Sequence, residues 1–163
     1  MSSKQSSVIA LAGLTALAVI ALDQLTKSIA RSSIDGSGSK DLLGGFVKIV
    51  DVRNSGVAFG QLSGGGIIVA VVVAGAVAAL LWYFLSHLET PLIWLATGLV
   101  IGGAVGNVID RVRAGAVTDF IKLPHWPAFN VADAAITVGV VALVLLVEVA
   151  ARRQRARENK SAN

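Results

Sequence analysis

The sequence contains no cysteine and few charged residues. Of its 163 residues, none is Cys, two are His and 15% are charged. The absence of cysteine excludes a disulfide framework, a thiol nucleophile and any Cys-ligated metal site. His87 and His125 lie far apart without metal-ligand spacing, so we expect no metal and no other cofactor. Soluble domains average about 25% charged residues. The low charge and the 55% hydrophobic content, which comes in long blocks, therefore indicate a polytopic membrane protein.

Four apolar blocks predict four transmembrane helices, at residues 8–28, 67–86, 92–110 and 131–151. Each block is close to the roughly 20 residues that cross the hydrocarbon core. A segment in the membrane core has to be helical, because only then are its backbone groups satisfied. In the first loop, residues 46–53 (FVKIVDVR) are β-branched and roughly alternating, which is typical of a strand. We expect one integral membrane domain over residues 1–163, all-α, with four transmembrane helices and a small extracytoplasmic β element in loop one.

The basic residues at the C-terminus predict the orientation of the chain. Five of the fourteen basic residues lie in the tail, residues 152–163. Lys and Arg concentrate on the cytoplasmic side of membrane proteins, so we expect a cytoplasmic tail and, with four spans, a cytoplasmic N-terminus. The net charge of +4 then reflects a tail near anionic lipid and not nucleic-acid binding. The first block is also compatible with a cleaved signal peptide, but Asp23 and Lys27 favour a retained helix.

The polar residues of the helices converge on one end of the predicted bundle. Ionisable residues in membrane segments are costly and indicate function. Glu148 is the exception, because it lies near the inner end beside the basic tail. The residues predicted at the outer end are Asp23, Asn107, Asp110, Arg111, Asp119, Asn130 and Asp133.

Asp119 and Asp133 flank a proline-containing turn, and Asp133 leads into the fourth apolar block. Two carboxyl groups that face each other suggest acid/base chemistry on water, which is an aspartyl peptidase mechanism without an acyl-enzyme. The start of a helix favours charge on Asp133, so we expect Asp133 to act as base and Asp119 as acid. Asn130 and Asp133 also have the spacing of a helix cap. Capping alone leaves Asp119 unexplained.

Two further pairs have structural interpretations. Asp23 and Lys27 lie one helical turn apart and are expected to pair. They form either an interfacial anchor, with Lys27 directed outward, or a pair that orders the site. Asp110 and the adjacent Arg111 are predicted to form a structural ion pair.

Two other classes of function are compatible with membrane carboxylates. A small proton-coupled transporter would use them to relay protons, and would need polar residues through the full depth of the bundle. A non-catalytic membrane chaperone or assembly subunit would need no catalytic pair. A Ser–Lys dyad fits less well, because Asp23 favours the charged form of Lys27.

The sequence resembles the lipoprotein signal peptidases, the type II signal peptidases of bacteria, over nearly its whole length. The resemblance rests on five blocks in family order: DQLTK at 23–27, NSGVAF at 54–59, GGAVGNVIDR at 102–111, VTDFI at 117–121 and FNVADAAI at 129–136. It implies an aspartyl endopeptidase of the inner membrane that cleaves prolipoproteins before a diacylglyceryl-modified cysteine. The catalytic dyad maps onto Asp119 and Asp133.

The resemblance also implies further site residues and partners. We expect lipid-modified prolipoproteins as substrates, membrane phospholipids as surroundings, inhibition by globomycin-type peptides, no nucleic acid and a monomer. The residues that bind substrate or order the site are expected to be Asp23, Lys27, Asn54, Gly56, Asn107, Asp110, Arg111, Asn130 and Ala132.

Overall fold

The structure is a computed structural model that describes residues 2–34, 38–55 and 65–161. It contains four helices: α1 Ser3–Ser33, α2 Gly65–Ser86, α3 Ile93–Ala114 and α4 Val131–Ser161. Three strands accompany them: β1 Ser39–Leu42, β2 Val47–Asn54 and β3 Val117–Lys122. Helices α1, α3 and the Val131–Arg153 part of α4 are long and apolar enough to cross a membrane, and Gly75–Ser86 of α2 is a shorter apolar helix. The predicted fold class is confirmed.

Helix α3 packs between α1 and α4, and glycines make the close approach possible. A Cβ at Gly98 would lie 2.7 Å from the Ala12 carbonyl oxygen, and one at Gly102 would lie 2.8 Å from that of Ala16. On the other side of α3, a Cβ at Gly103 would collide with the Ala132 carbonyl oxygen of α4. Helices in membranes associate through such small residues because lipid supplies no hydrophobic driving force. This packing aligns the polar ends of the three helices.

The outer surfaces of these helices are apolar and exposed. Leu14 and Leu17 of α1 and Val144 and Leu145 of α4 are among the large hydrophobic side chains that face outward. A soluble bundle would bury such residues in its core. Apolar faces directed away from the protein are what a lipid surrounding requires.

The strands form one antiparallel sheet in the order β1-β2-β3. Strands β1 and β2 belong to the first loop, as the predicted β element does, but β3 comes from the segment between α3 and α4 and was not predicted. β3 is fixed to the bundle at its start: the Thr118 amide donates to Asp110 Oδ2 at 3.0 Å, and Arg31 donates to the Thr118 hydroxyl at 3.0 Å. The sheet therefore stands at the end of the bundle where the polar residues were expected.

Helices α1 and α4 extend beyond the predicted transmembrane segments. Ser2 and Gln5 form a reciprocal capping box that starts α1 ahead of the apolar block. Helix α4 continues through the basic tail to Ser161, and the sequence after Gly139 contains no glycine or proline to end it. Charged residues alone do not terminate a helix, because straight-chain residues such as Arg and Glu are good helix formers.

Candidate active site

Asp119 and Asp133 lie on different elements and are joined by one asparagine. Asp119 is a buried residue of β3, and Asp133 lies in the first turn of α4. The Asn130 side-chain amide donates to Asp119 Oδ1 at 2.7 Å, while the Asn130 backbone amide donates to Asp133 Oδ2 at 3.2 Å. The Asp133 backbone amide donates back to Asn130 Oδ1 at 2.9 Å. The expected helix cap is therefore confirmed, and the same cap brings the two aspartates to one residue.

Each of the two carboxyl groups also accepts a hydrogen bond from a further asparagine, a different one for each. The Asn54 amide, at the end of β2, donates to Asp119 Oδ2 at 2.9 Å. The Asn107 amide, on α3, donates to Asp133 Oδ1 at 2.8 Å. Each aspartate thus accepts hydrogen bonds at both of its oxygens. Because the donors come from a strand, a helix and a helix cap, the orientation of the carboxyl groups is determined by the assembly of the whole bundle end.

Lys27 lies fully buried beside this pair and is itself held by carboxylates. Its Nζ lies 2.8 Å from Asp23 Oδ2 and 3.1 Å from Asp110 Oδ2, and it donates to Asn107 Oδ1 at 2.9 Å. The expected Asp23–Lys27 pair is confirmed. The interpretation of Lys27 as an outward-directed anchor is wrong, because its side chain has no exposed surface.

The predicted ion pair between Asp110 and Arg111 is also wrong. Asp110 is bonded to Lys27 and is buried, whereas Arg111 is exposed and donates at 3.4 Å to the carbonyl oxygen of Asn107. Consecutive residues of an α-helix are separated by about 100° around its axis, so they do not face each other. Asp110 therefore points into the bundle and Arg111 points away from it.

Asp23 connects α1 to the first turn of α4. Its Oδ1 accepts a hydrogen bond from the Ala132 backbone amide at 3.0 Å, and Ala132 is fully buried. A Cβ at Gly106 would lie 2.8 Å from Asp23 Oδ2, so only glycine leaves room for this carboxylate. The structure thus brings together the predicted residues Asp23, Lys27, Asn54, Asn107, Asp110, Asn130 and Ala132 around the aspartates. Arg111 lies at the edge of this group, and Gly56 lies outside the described residues.

Three residues at the site were missed from sequence. Gln24 donates to Asp110 Oδ1 at 3.0 Å and to the Gly106 carbonyl oxygen at 3.2 Å. Arg31 and Thr118 connect α1 to β3, as described above. A polar residue directly beside Asp23 was a usable signal for Gln24. The contribution of Thr118 comes partly from its backbone amide, which no sequence pattern marks.

The surroundings of Asp119 favour its protonated form. Burial raises the pKa of this carboxyl group, and the charge of Asp133 raises it further. The hydrogen bonds from Asn54 and Asn130 and the charge of nearby Lys27 lower it. The net direction is upward. Within the described ranges, no group of three or more His, Cys, Asp and Glu side chains is arranged to hold a metal ion. What the arrangement offers chemically is a pair of neighbouring carboxyl groups, one of which, Asp119, has a raised pKa.

Comparison with known proteins identifies the family over most of the chain. The family model described as signal peptidase (SPase) II matches residues 15–149. The chain belongs to the signal peptidase II family. Among curated relatives, the lipoprotein signal peptidase of Moorella thermoacetica is 42% identical over 131 residues, which is 80% of this chain and 87% of the relative. That of Dehalococcoides mccartyi is 41% identical over 137 residues, covering 81% and 84%.

Solved structures agree with this family assignment. A bacterial membrane enzyme solved by the in meso method at 1.9 Å resolution superposes with a TM-score of 0.78 at 32% identity, covering 85% of this chain and 93% of that one. A second such enzyme, solved at 2.3 Å, gives a TM-score of 0.74 at 31% identity over 91% and 92% of the two chains. As a signal peptidase II family member with several apolar helices, the protein is a multi-pass membrane peptidase.

Proposed function

We propose that this protein is an aspartyl endopeptidase that removes signal peptides from diacylglyceryl-modified bacterial prolipoproteins, cutting before the lipidated cysteine. Its curated relatives are named lipoprotein signal peptidases. One observation carries the aspartyl assignment: Asp119 and Asp133, from a strand and a helix, meet at Asn130. Such a convergence of carboxyl groups is the arrangement that water activation by an acid and a base requires.

In the proposed mechanism the two aspartates have different protonation states. Asp133, ionised, takes a proton from the attacking water, and Asp119, protonated, donates to the oxygen of the scissile carbonyl. Two neighbouring carboxyl groups cannot both ionise easily, so they share one proton. The raised pKa of Asp119 favours that group as the acid. The amides of Asn107 and Asn130 and the N-terminus of α4 favour negative charge on Asp133.

The position of the site suggests how a lipid-modified substrate reaches it. The aspartates lie at one end of the bundle, where the helices give way to the sheet. We place this end at the outer face of the bacterial cytoplasmic membrane, with both termini in the cytoplasm and the basic tail near anionic lipid. The acyl chains of the substrate would stay in the bilayer while the peptide bond reaches the aspartates. On this proposal the enzyme works as a monomer and is inhibited by globomycin-type peptides.

A proton-coupled transporter is a weaker candidate. It needs polar groups along the full depth of the bundle. Among the described residues, the buried polar ones cluster at the sheet end of the bundle, and Thr97 alone lies deeper. The members of the cluster are Asp23, Lys27, Asn107, Asp110, Thr118, Asp119 and Asn130.

The proposal is tested by Asp119→Asn and Asp133→Asn. Asn is nearly isosteric with Asp and can still cap a helix, so both variants should fold. Neither amide can exchange a proton as a carboxyl does, so each variant should lose most cleavage of a lipidated precursor, measured by the masses of the products. The double variant should be little worse than either single one, because residues that act as a unit are not additive.

Glu148→Gln is the matched control, because it neutralises an exposed carboxylate about 22 Å along α4 from Asp133. This variant should cleave at the wild-type rate. If both aspartate variants also cleave at near wild-type rates, Asp133 is only a cap, Asp119 is only a tether for the loop, and the mechanism is wrong.

A further inference from the structure

Several large apolar side chains are exposed outside the membrane helices. Leu43 is 82% exposed, Phe46 and Trp126 are each 62% exposed, and Leu42 is 47% exposed. Exposed apolar side chains on a helix of this protein are covered by lipid, but these four belong to the sheet and its connections. An apolar cluster that faces water is unusual and marks an interaction surface.

These residues lie near one end of the sheet. The turn Leu43–Gly45 connects β1 to β2, and the register pairs Leu42 with Val47 and Lys48 with Lys122. The C-terminal end of β3 therefore lies beside that turn. Lys122 Nζ donates to the carbonyl oxygen of Trp126 at 2.7 Å, which holds Trp126 at the same place. We call residues 40–48 and 122–126 the sheet tip.

The sheet tip has a net positive charge, which favours a negatively charged partner. It carries three lysines and one aspartate, a net charge of +2 with His125 neutral. Lys48 and Lys122 are direct cross-strand partners, and like charges in that position destabilise a sheet. The side chain of Asp41, 3.6 Å from Lys48, compensates only one of them. A partner that supplies phosphate groups would offset the remaining charge.

Two residues of the sheet tip have an unusual backbone conformation. Leu43 has φ 50° and His125 has φ 60°, and both values lie in the left-handed region that residues other than glycine seldom adopt. Such conformations cost free energy and are often associated with functional surfaces. In Leu43 this conformation accompanies the most exposed large apolar side chain of the tip.

We propose that the sheet tip docks on the headgroup region of the bilayer that the helices span. Leu43, Phe46 and Trp126 would enter the interface, and the lysines would contact lipid phosphates. Tryptophan and lysine together are typical of protein segments at a membrane interface, where an apolar body and a polar tip are both accommodated. Because Asn54 and Asp119 belong to this sheet, docking would also fix the height of the site relative to the bilayer. This inference needs only a membrane-embedded chain, not the proposed peptidase mechanism.

Fluorescence quenching in nanodiscs tests the docking. A variant with Trp82→Phe and Trp94→Phe leaves Trp126 as the only tryptophan among the three of the sequence. Lipids with a quencher near the headgroup should quench Trp126 strongly, and more in phosphatidylglycerol than in phosphatidylcholine bilayers, because anionic lipid attracts the lysines. Adding Leu43→Ser and Phe46→Ser should remove most of this quenching. Lys48→Gln and Lys122→Gln should abolish the difference between the two lipids.

Trp82 provides the matched control, in a second set of variants in which Trp94→Phe and Trp126→Phe leave Trp82 as the only tryptophan. It is 71% exposed on α2, away from the sheet, so it should be quenched by lipid whether or not the sheet tip is changed. Retained Trp82 quenching in the tip variants shows that they are still inserted and folded. The docking proposal is refuted if Trp126 stays unquenched in bilayers where Trp82 is quenched, or if the tip substitutions leave Trp126 quenching unchanged. If Trp126 is shielded from solvent only after a lipidated precursor is added, the docking proposal is refuted as well, and the sheet tip is a substrate-binding surface instead. None of these outcomes depends on cleavage, so they are independent of the proposed activity.

Discussion

Replacing Lys27 by Met is the strongest test of the buried charge cluster. Lys27 has no exposed surface and lies 2.8 Å from Asp23 and 3.1 Å from Asp110. Without it, two carboxylates remain in a poorly solvated place without a cation. Removing one partner of a buried ion pair costs about 3–5 kcal/mol, because the charge left behind is uncompensated. We therefore expect Lys27→Met to unfold at a much lower temperature or denaturant concentration than the wild type in detergent.

Arg152→Met is the matched control for this substitution. Arg152 pairs with Glu148 at 2.7 Å, also four residues apart on a helix, but both side chains are more than half exposed. An exposed helical pair of this kind contributes only about 0.3–0.5 kcal/mol. The two substitutions thus remove the same kind of pair and differ in burial. If Lys27→Met and Arg152→Met shift the unfolding midpoint equally, Lys27 does not belong to a buried charge cluster and the reasoning is refuted.

A neutralised cluster separates stability from activity. Adding Asp23→Asn and Asp110→Asn to Lys27→Met removes all three charges, and neutral replacement of buried ions is often nearly free of cost. The triple variant should therefore recover most of the lost stability. It should not recover cleavage, because Asn107 has lost the lysine that fixes its amide and with it the orientation of Asp133. Full recovery of cleavage would refute the site-ordering role of Lys27.

Three further predictions follow from packing, protonation and topology. Gly103→Ala should cost about 1–3 kcal/mol of stability by overpacking α3 against Ala132, whereas Gly75→Ala, which meets no neighbour, should not destabilise. The pKa of Asp119 is raised above its ordinary value, so an activity that needs its proton should persist above the pH range in which aspartate usually titrates, and should fall as pH rises through the raised pKa. Asn54→Ala removes a hydrogen bond that lowers this pKa, so in this variant the activity should fall at a higher pH. In the cysteine-free chain, Ser39→Cys should react with a membrane-impermeant maleimide on intact cells and Asn159→Cys should not; the reverse pattern would refute the proposed orientation.

The sequence predicted the helical part of the fold well, because membrane-spanning segments are marked by long apolar blocks. It also predicted that polar residues meet at one end, since helix ends alternate between the two faces of a membrane. The strand β3 was not predicted because VTDFIK is short and its partner, β2, lies about 65 residues earlier in the chain, as the contact between Asn54 and Asp119 shows. Pairing over such a distance leaves no local pattern.

The error at Asp110 has a different cause. Adjacency in sequence suggested that Asp110 pairs with Arg111, but the partner of Asp110 is Lys27, which belongs to another helix, α1. The sequence marks which residues of one helix share a face, and not which residue of a second helix lies opposite them. That depends on the crossing of α1 and α3, which Gly98 and Gly102 allow but do not specify.

The arrangement of charge around the aspartates explains why asparagines, and not lysine, contact them. Lys27 is buried close by, yet it reaches Asp133 only through Asn107, which accepts from the lysine and donates to the carboxylate. A cation in direct contact with both aspartates would favour ionisation of both, and the shared proton that an acid/base pair needs would be lost. The side-chain amide of Asn107 can hold the Asp133 carboxyl group in position by a hydrogen bond without placing a full charge against it. The one buried lysine can therefore compensate Asp23 and Asp110 and hold Asn107 in place, while Asp119, bonded only to neutral donors among the contacts described, keeps a raised pKa.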